Sequence, residues 1–539
     1  MAIKARTVLR VGVVMVALGV FGWDWLWPRY ADAPSAPMSV VAANAALPDA
    51  GAEAPPLQPP APTATRPQSV LKLGSLTLRP CELKQLDSSA ITAAYCAPFQ
   101  VPENRADPHS RRINLKLALV KSEAQAANRD LVVYLAGGPG ESATQTYPQI
   151  AAALAPLRQH HDILLLDQRG TGDSHPLSCP RAQAAMTQVD NGAFDPQKTR
   201  DAVTACLAEV EKTSDPRFYT TAAAVADMEA VRRALGSPQF DLVGVSYGTR
   251  VAQQYTRAHP QAVRSIVLDG VVPNQLILGE DFAVNLEDSL KLQAAACTAT
   301  PACHAAFGDW YGTLHALHDT LRAQPVIAHF NDPKTYHPVD KPVTADALAG
   351  VVRLFSYTAE TAALLPLSLS ETAKGDYAPL MGQSQLITDS LAETLTGGMQ
   401  LSVICSEDAK LLQSRPQDAG TILGADIIDA IKTECAAWPH GARAADFHAP
   451  FVSSIPTLLL SGERDPVTPP RYADEVLKGS LDARAFVLAG MGHSVISRGC
   501  MPKLVERFVA DLQPAKLDAQ CLKATGPIPA FVDFNGASP

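Results

Sequence analysis

Several things are scarce in this 539-residue chain, and each scarcity narrows what it can be. Positive charge does not dominate: 45 Lys and Arg stand against 54 Asp and Glu, a formal net charge of −9. No dense Lys/Arg run or basic face with interleaved aromatics occurs, which argues against nucleic acid as a partner. No Cys-x-x-Cys is found among the ten cysteines, and their spacings do not repeat as ligand pairs do, so no metal site is expected. The glycine cluster at 137–140 lacks both a following Gly-Lys-Ser/Thr and the Gly-x-Gly-x-x-Gly spacing, which excludes a phosphate-binding loop. No cofactor is therefore implied. The apolar run Val11–Trp23 falls short of the ~20 residues that span a bilayer, and extending it must include Asp24. What is present is a chain 47% hydrophobic and 18% charged, long enough to bury a large core.

The first residues read as an address. Lys4, Arg6 and Arg10 precede Val11–Trp23, and Ala31-Asp32-Ala33 offers a small-residue cleavage site, so residues 1–33 are expected to be a signal peptide or signal anchor. Membrane contact is expected only if this segment is not cleaved. Residues 34–68, dense in Pro and Ala, are expected to form an extended linker. Cysteine usage points the same way. The ten fall into neighbouring couples, 81 with 96, 179 with 206, 297 with 303, 405 with 435 and 500 with 521, with none left over. Sequence does not fix their connectivity, but disulfides would place the protein in a secreted or periplasmic, oxidising compartment.

Chemistry concentrates in Asp241-Leu242-Val243-Gly244-Val245-Ser246-Tyr247-Gly248-Thr249-Arg250. An apolar strand runs into Gly-x-Ser-x-Gly and then into a helical pattern, which lifts Ser246 out of a sharp strand-to-helix turn. A serine needs a base to take its proton. The apolar run Ile455–Leu460 leads to Asp465 on a loop, and Ala485–Leu488 leads through Gly490 and Gly492 to His493. Ser246, Asp465 and His493 thus follow in the order nucleophile, acid, base. Asp269, after the strand 265–268, is the runner-up acid, and Glu463 a weaker third. Negative charge developing on a substrate oxygen would meet the Tyr247 backbone N–H and a second donor after strand 131–135, where Gly138 is preferred and Gly137 is the alternative.

Taken together, Gly137-Gly138-Pro139-Gly140, Asp167-Gln168-Arg169-Gly170-Thr171-Gly172, Gly244-Val245-Ser246-Tyr247-Gly248-Thr249, Asp465-Pro466-Val467-Thr468-Pro469 and Gly492-His493 resemble the prolyl iminopeptidase and tripeptidyl aminopeptidase family of serine peptidases. The likeness is greatest to its secreted branch and spans roughly residues 80–520. It implies an α/β-hydrolase fold with an inserted, mainly helical cap, and removal of short N-terminal fragments from peptides with a free N-terminus. One departure is plain: Ala136 stands where family members usually carry a His. Acidic cap residues of the family hold the substrate's ammonium group. Here Glu407, with Asp408 second, is the matching choice, the alternative being a solvated acidic pair at a helix start. Arg169 is expected to pin neighbouring loops rather than to act on substrate.

The expected layout is an α/β fold, a mostly parallel sheet with helices on both faces. Strands are expected near 113–120, 131–135, 163–166, 240–245, 265–268, 455–460 and 485–488. Residues 69–274 and 446–539 would form the hydrolase core and 275–445 a helical cap, with helices at 282–295 and 347–354. Three readings stay open: a serine aminopeptidase, an esterase or other acyl hydrolase on the same scaffold, and a catalytically silent binding protein.

Overall fold

Unbroken apolar runs predict strands covered on both faces, and the centre of the sheet contains such strands. A computed structural model describes residues 69–537 except 85–89, 125–129, 181–194 and 395, with side chains left aside at 389–394. The expected signal segment and linker lie outside the described residues. Twelve strands follow in order: β1 (Leu71–Leu73), β2 (Leu76–Lys84), β3 (Ile91–Pro102), β4 (Arg112–Val120), β5 (Leu131–Leu135), β6 (Ile163–Leu166), β7 (Phe240–Val245), β8 (Val263–Asp269), β9 (Val326–Asn331), β10 (Pro338–Val343), β11 (Thr457–Gly462) and β12 (Ala483–Leu488). Ten of them form one sheet in the order β1-β2-β3-β4-β6-β5-β7-β8-β11-β12. From β6 to β12 every neighbour is parallel, and β1 to β4 form an antiparallel extension.

Because side chains alternate along a strand, the central strands supply two cores. Leu131, Val133, Leu135, Leu242 and Leu268 face one side, with helices Thr221–Leu235, Tyr247–Ala258 and Gly397–Glu407. Val132, Tyr134, Val243, Val267 and Leu458 face the other, with helices Ala143–Arg158 and Met501–Asp511. The α/β fold expected from sequence is the fold observed. Between β8 and β11 the chain is mostly helical and has a core of its own around Leu286, Trp310, Leu314, Val352 and Leu369.

Two regions depart from expectation. Strands β1 to β3 were not anticipated: they are partly exposed, and Pro80, Pro98 and Pro102 obscure their alternation. The hairpin β9–β10 interrupts the helical segment, pairing Val326 with Val343 through Asn331 with Pro338. Five disulfides join the cysteines as the five sequence neighbours, and no free cysteine remains. Among the described residues no helix is long and apolar enough to cross a membrane.

Candidate active site

Parallel strands present their C-terminal ends along one edge of the sheet, so loops that leave those ends meet there. Ser246 follows β7 directly and precedes helix Tyr247–Ala258. Its backbone, at φ 53° and ψ −123°, lies where an L-residue is rarely found and is held there by its surroundings. The Ser246 N–H donates to the Asp269 carbonyl at 2.8 Å, and the Ser246 carbonyl accepts from the Thr249 N–H at 2.8 Å. A side chain at Gly248 would overlap the Leu135 carbonyl, so this glycine lets the new helix start against the end of β5. The Tyr247 N–H and the loop 136–140 are thereby neighbours.

In that loop Gly138 has φ +101° and precedes a cis peptide bond to Pro139. The Gly137 N–H donates to Glu141 Oε2 at 3.1 Å, which commits it internally. Asp167, at the end of β6, accepts from Ser142 Oγ and the Thr144 N–H, both at 2.8 Å, fixing the helix start behind the loop. Arg169 is fully buried, pairs with Asp227 through two hydrogen bonds at 2.7 and 2.8 Å, and donates to the Glu103 and Phe218 carbonyls. That is the loop-pinning position expected of it.

Asp465 follows β11, and His493 follows β12. His493 Nδ1 and Asp465 Oδ2 are 2.7 Å apart with both side chains out of solvent. The Val467 and Thr468 N–H groups donate to Asp465 Oδ1 at 2.8 and 2.7 Å, and Thr468 Oγ1 donates to Oδ2 at 2.8 Å. Burial alone would push the Asp465 carboxyl up, but the imidazole and these donors hold it below the usual carboxylate range. Burial likewise pulls His493 down, and the Asp465 charge and hydrogen bond reverse this, so His493 titrates above an ordinary histidine. The His493 N–H donates to the Tyr357 carbonyl at 2.7 Å, and the Tyr357 ring meets the imidazole edge-on at 5.3 Å. A Cβ on Gly270 would come within 2.8 Å of His493 Cε1, so the ring rests on the residue after Asp269. His493 Nε2 is buried and no hydrogen bond joins it to Ser246.

Asp269 is not the imidazole's partner. Its carboxylate accepts from Ser494 Oγ at 2.6 Å and from the Val495 and Ile496 N–H groups at 2.9 and 3.0 Å. It ties the His493 loop to the strand end that also holds Ser246. Glu463 points elsewhere, accepting from the Gly490 N–H at 2.7 Å. Two cavities flank the pair. One of about 160 Å³ is lined by Gly490 and Gly492, another of about 420 Å³ by Asp465 and Asn285, and Ser246 borders neither.

Glu407 and Asp408 occupy a different place from the one expected. The Thr221 N–H and Oγ1 donate to Glu407 at 2.6 and 2.8 Å, and Thr221 Oγ1 lies 2.7 Å from the Tyr247 hydroxyl. Asp408 pairs with Arg250 at 2.8 Å, with neither side chain exposed. Both acids sit inside the layer beneath the helix that follows Ser246, where the apolar run before them carries them into the core. Burial and the neighbouring Asp408 push the Glu407 carboxyl up to about 7, with Arg250 pulling the other way. Neither faces a cleft as a receptor for ammonium.

Two residues at the site were not singled out from sequence. Glu141, directly after Gly-Gly-Pro-Gly, is pushed up to about 7 by burial, while the Gly137 N–H and the His493 charge pull it back. Its position next to the glycine cluster was a usable signal. Tyr357 lies in the helical segment and had none.

A family model described as alpha/beta hydrolase fold matches residues 130–498. Among curated proteins, the putative hydrolase YuaR of Escherichia coli (strain K12) is 30% identical over 248 residues, 44% of this chain and 48% of that protein. This chain therefore spans about half of YuaR. The serine protease Hip1 of Mycobacterium tuberculosis (strain ATCC 25618 / H37Rv) is 25% identical over 481 residues, 82% of this chain and 90% of that protein. The tripeptidyl aminopeptidase of Streptomyces lividans is 27% identical over 191 residues, 33% of this chain and 35% of that protein. The family match covers more than half of the chain and closes just past the His493 loop, and the chain belongs to the alpha/beta hydrolase family.

Proposed function

We propose that the protein is an exported serine peptidase that releases short N-terminal fragments from peptides. The observation that carries this reading is the buried Asp465–His493 contact at 2.7 Å, on the sheet edge where Ser246 stands in a strained turn. Ser246 Oγ attacks the substrate carbonyl carbon while His493 Nε2 takes its proton. Asp465 keeps Nδ1–H oriented and stabilises the imidazolium. The Tyr247 and Gly138 N–H groups hold the oxyanion, each worth roughly 10²–10³ in kcat. His493 then gives the proton to the leaving amine, and water, activated by the same imidazole, releases the acyl group. In this reading residues 275–445 form a cap over the site.

The serine protease and aminopeptidase names carried by two relatives support the peptidase assignment. The five disulfides support an oxidising compartment, with residues 1–33 as the export signal. A second reading, an esterase or other acyl hydrolase, is favoured by the name of a further relative, carboxylesterase B, 26% identical over 473 residues, and by one structural observation. Glu407 and Asp408 are committed to interior partners, and an esterase needs no ammonium receptor.

Mass spectrometry of products from a peptide mixture, with free and acetylated N-termini compared, separates the two. Free peptides should lose one to three N-terminal residues and acetylated ones should be spared. Equal cleavage of both removes the aminopeptidase reading, and turnover of esters alone selects the esterase. A fluorophosphonate should label Ser246; failure to do so would leave a silent scaffold.

A further inference from the structure

Behind Tyr357, whose ring meets the imidazole, lies a cation that none of these steps uses. Arg353, on helix Ala345–Phe355, is 7% exposed, and its guanidinium carbon lies 4.5 Å from the centre of the Phe282 ring. Its Nε and Nη2 are buried and meet no hydrogen-bond acceptor, and no carboxylate pairs with it among the described residues. The Tyr357 hydroxyl is also buried without a hydrogen bond. Arg353 lies within hydrogen-bonding reach of that hydroxyl and, by its charge and that approach, favours the ionised form against the burial that pushes it up, though the alignment falls short of a full hydrogen bond. The Tyr357 ring touches His493, whose Nε2 is the fourth orphaned atom of the group.

The acids nearby are already engaged. Asp465 holds His493, Asp269 holds the 494–496 backbone, and Glu141 accepts from the Gly137 N–H. A buried guanidinium without a counter-charge carries a desolvation cost that a bound anion would relieve. Its Nε–Nη2 edge presents two parallel donors, the arrangement that meets both oxygens of one carboxylate. The Tyr357 O–H adds a third donor, so the matching group is an acceptor, and the uncompensated charge selects an anion over a neutral carbonyl.

We propose that Arg353 and Tyr357 form a subsite for a carboxylate on the substrate, a reading that rests on Ser246 being the nucleophile of this cleft. Two sources carry that chemistry: an acidic side chain near the cleaved bond, and the C-terminal carboxylate of a short peptide.

The test pairs substrates that differ only in charge: aryl hemisuccinate against aryl butyrate, Glu against Gln peptides, and free-acid against amidated peptides. The wild-type enzyme should prefer the carboxylate-bearing member by roughly 10-fold or more in kcat/KM, the size expected of a charge-assisted hydrogen bond. Arg353→Met should abolish the preference, and Arg353→Lys should keep part of it. Because the ratio is taken within one protein, it does not depend on how much of a variant is folded. Preference in the Glu/Gln pair assigns the side chain, and in the acid/amide pair the C-terminus. No preference in any wild-type pair, or an unchanged preference in Arg353→Met, overturns the subsite. If only esters turn over, the peptidase reading fails while the hemisuccinate pair still reads Arg353. Calorimetric titration with glutarate needs no turnover: binding to wild type that is lost in Arg353→Met supports the subsite, and absent or equal binding overturns it.

Discussion

The Asp269 carbonyl accepts the Ser246 N–H at 2.8 Å, so one residue at the end of β8 holds the proposed nucleophile by its backbone and the His493 loop by its side chain. Asp269→Asn replaces one carboxylate oxygen with a donor facing the Ser494, Val495 and Ile496 donors, while the Ser246 contact survives. The loop should shift while the strand stays. A misplacement of about 1 Å costs on the order of 10²-fold. We expect kcat to fall by about that factor with KM little changed, measured by steady-state kinetics; an unaltered kcat would show that the loop is held by other contacts.

In the proposed mechanism activity should fall with acid through the titration of His493, because only a neutral imidazole would accept the Ser246 proton. Three acids face the ring: Asp465, Asp269 and Glu141 all raise its pKa, so the midpoint of the acid limb should lie above the ordinary value of about 6.5. Asp465→Asn removes the largest upward contribution, so its residual activity should keep to lower pH, with kcat down by about 10⁴. Glu141→Gln should lower the midpoint by less, while its amide oxygen still accepts from Gly137. A wild-type midpoint below 6 in kcat/KM would contradict the arrangement.

Much of this was legible in sequence because it sits in short, unbroken signals. The strands β5, β6 and β7 lie where the runs 131–135, 163–166 and 240–245 placed them, since two covered faces require a continuous apolar run. Asp465 follows such a strand, β11, whereas His493 follows the partly exposed edge strand β12 and was signalled by the glycines around it. The error at Glu407 and Asp408 has a physical origin: sequence shows two acids beside an apolar run but not the partners that neutralise them, and Thr221 and Arg250 are 186 and 158 residues away. Arg353 and Tyr357 were hidden because nothing local distinguishes a helical Arg that snorkels to solvent from one turned onto an aromatic ring.

Glu434 should make stability fall with rising pH. Burial pushes its carboxyl up to about 8, and its Oε1 has no partner among the described residues. Below about pH 4 the carboxyl is protonated in both the folded and unfolded chain, and it has no pH-dependent effect. Between there and about 8 the unfolded chain releases the proton while the folded chain keeps it, so folding is penalised progressively. Glu434→Gln does not titrate. Its stability relative to wild type should therefore grow by about 1–3 kcal/mol between pH 5 and pH 8, read from urea midpoints at both. A constant difference would mean that the carboxyl reaches water.

Reduction should impair activity through the C-terminal tail rather than through the proposed triad. Cys500–Cys521 ties helix Met501–Asp511 to the tail, and beyond it Pro527 packs on Gly490, where a Cβ would lie 2.5 Å from the Pro527 Cα. Gly490 and Gly492 share a cavity wall with Pro527, Ile528 and Pro529, and Gly492 abuts the Tyr357 carbonyl that receives the His493 N–H. Loss of the crosslink frees the tail and with it one side of the His493 loop. The double variant Cys500→Ser with Cys521→Ser should lose roughly 3 kcal/mol of stability. At temperatures where it is still folded, kcat should drop several-fold while fluorophosphonate still labels Ser246. If kcat matches wild type in the folded range, the tail contributes only to stability and the loop holds its position unaided.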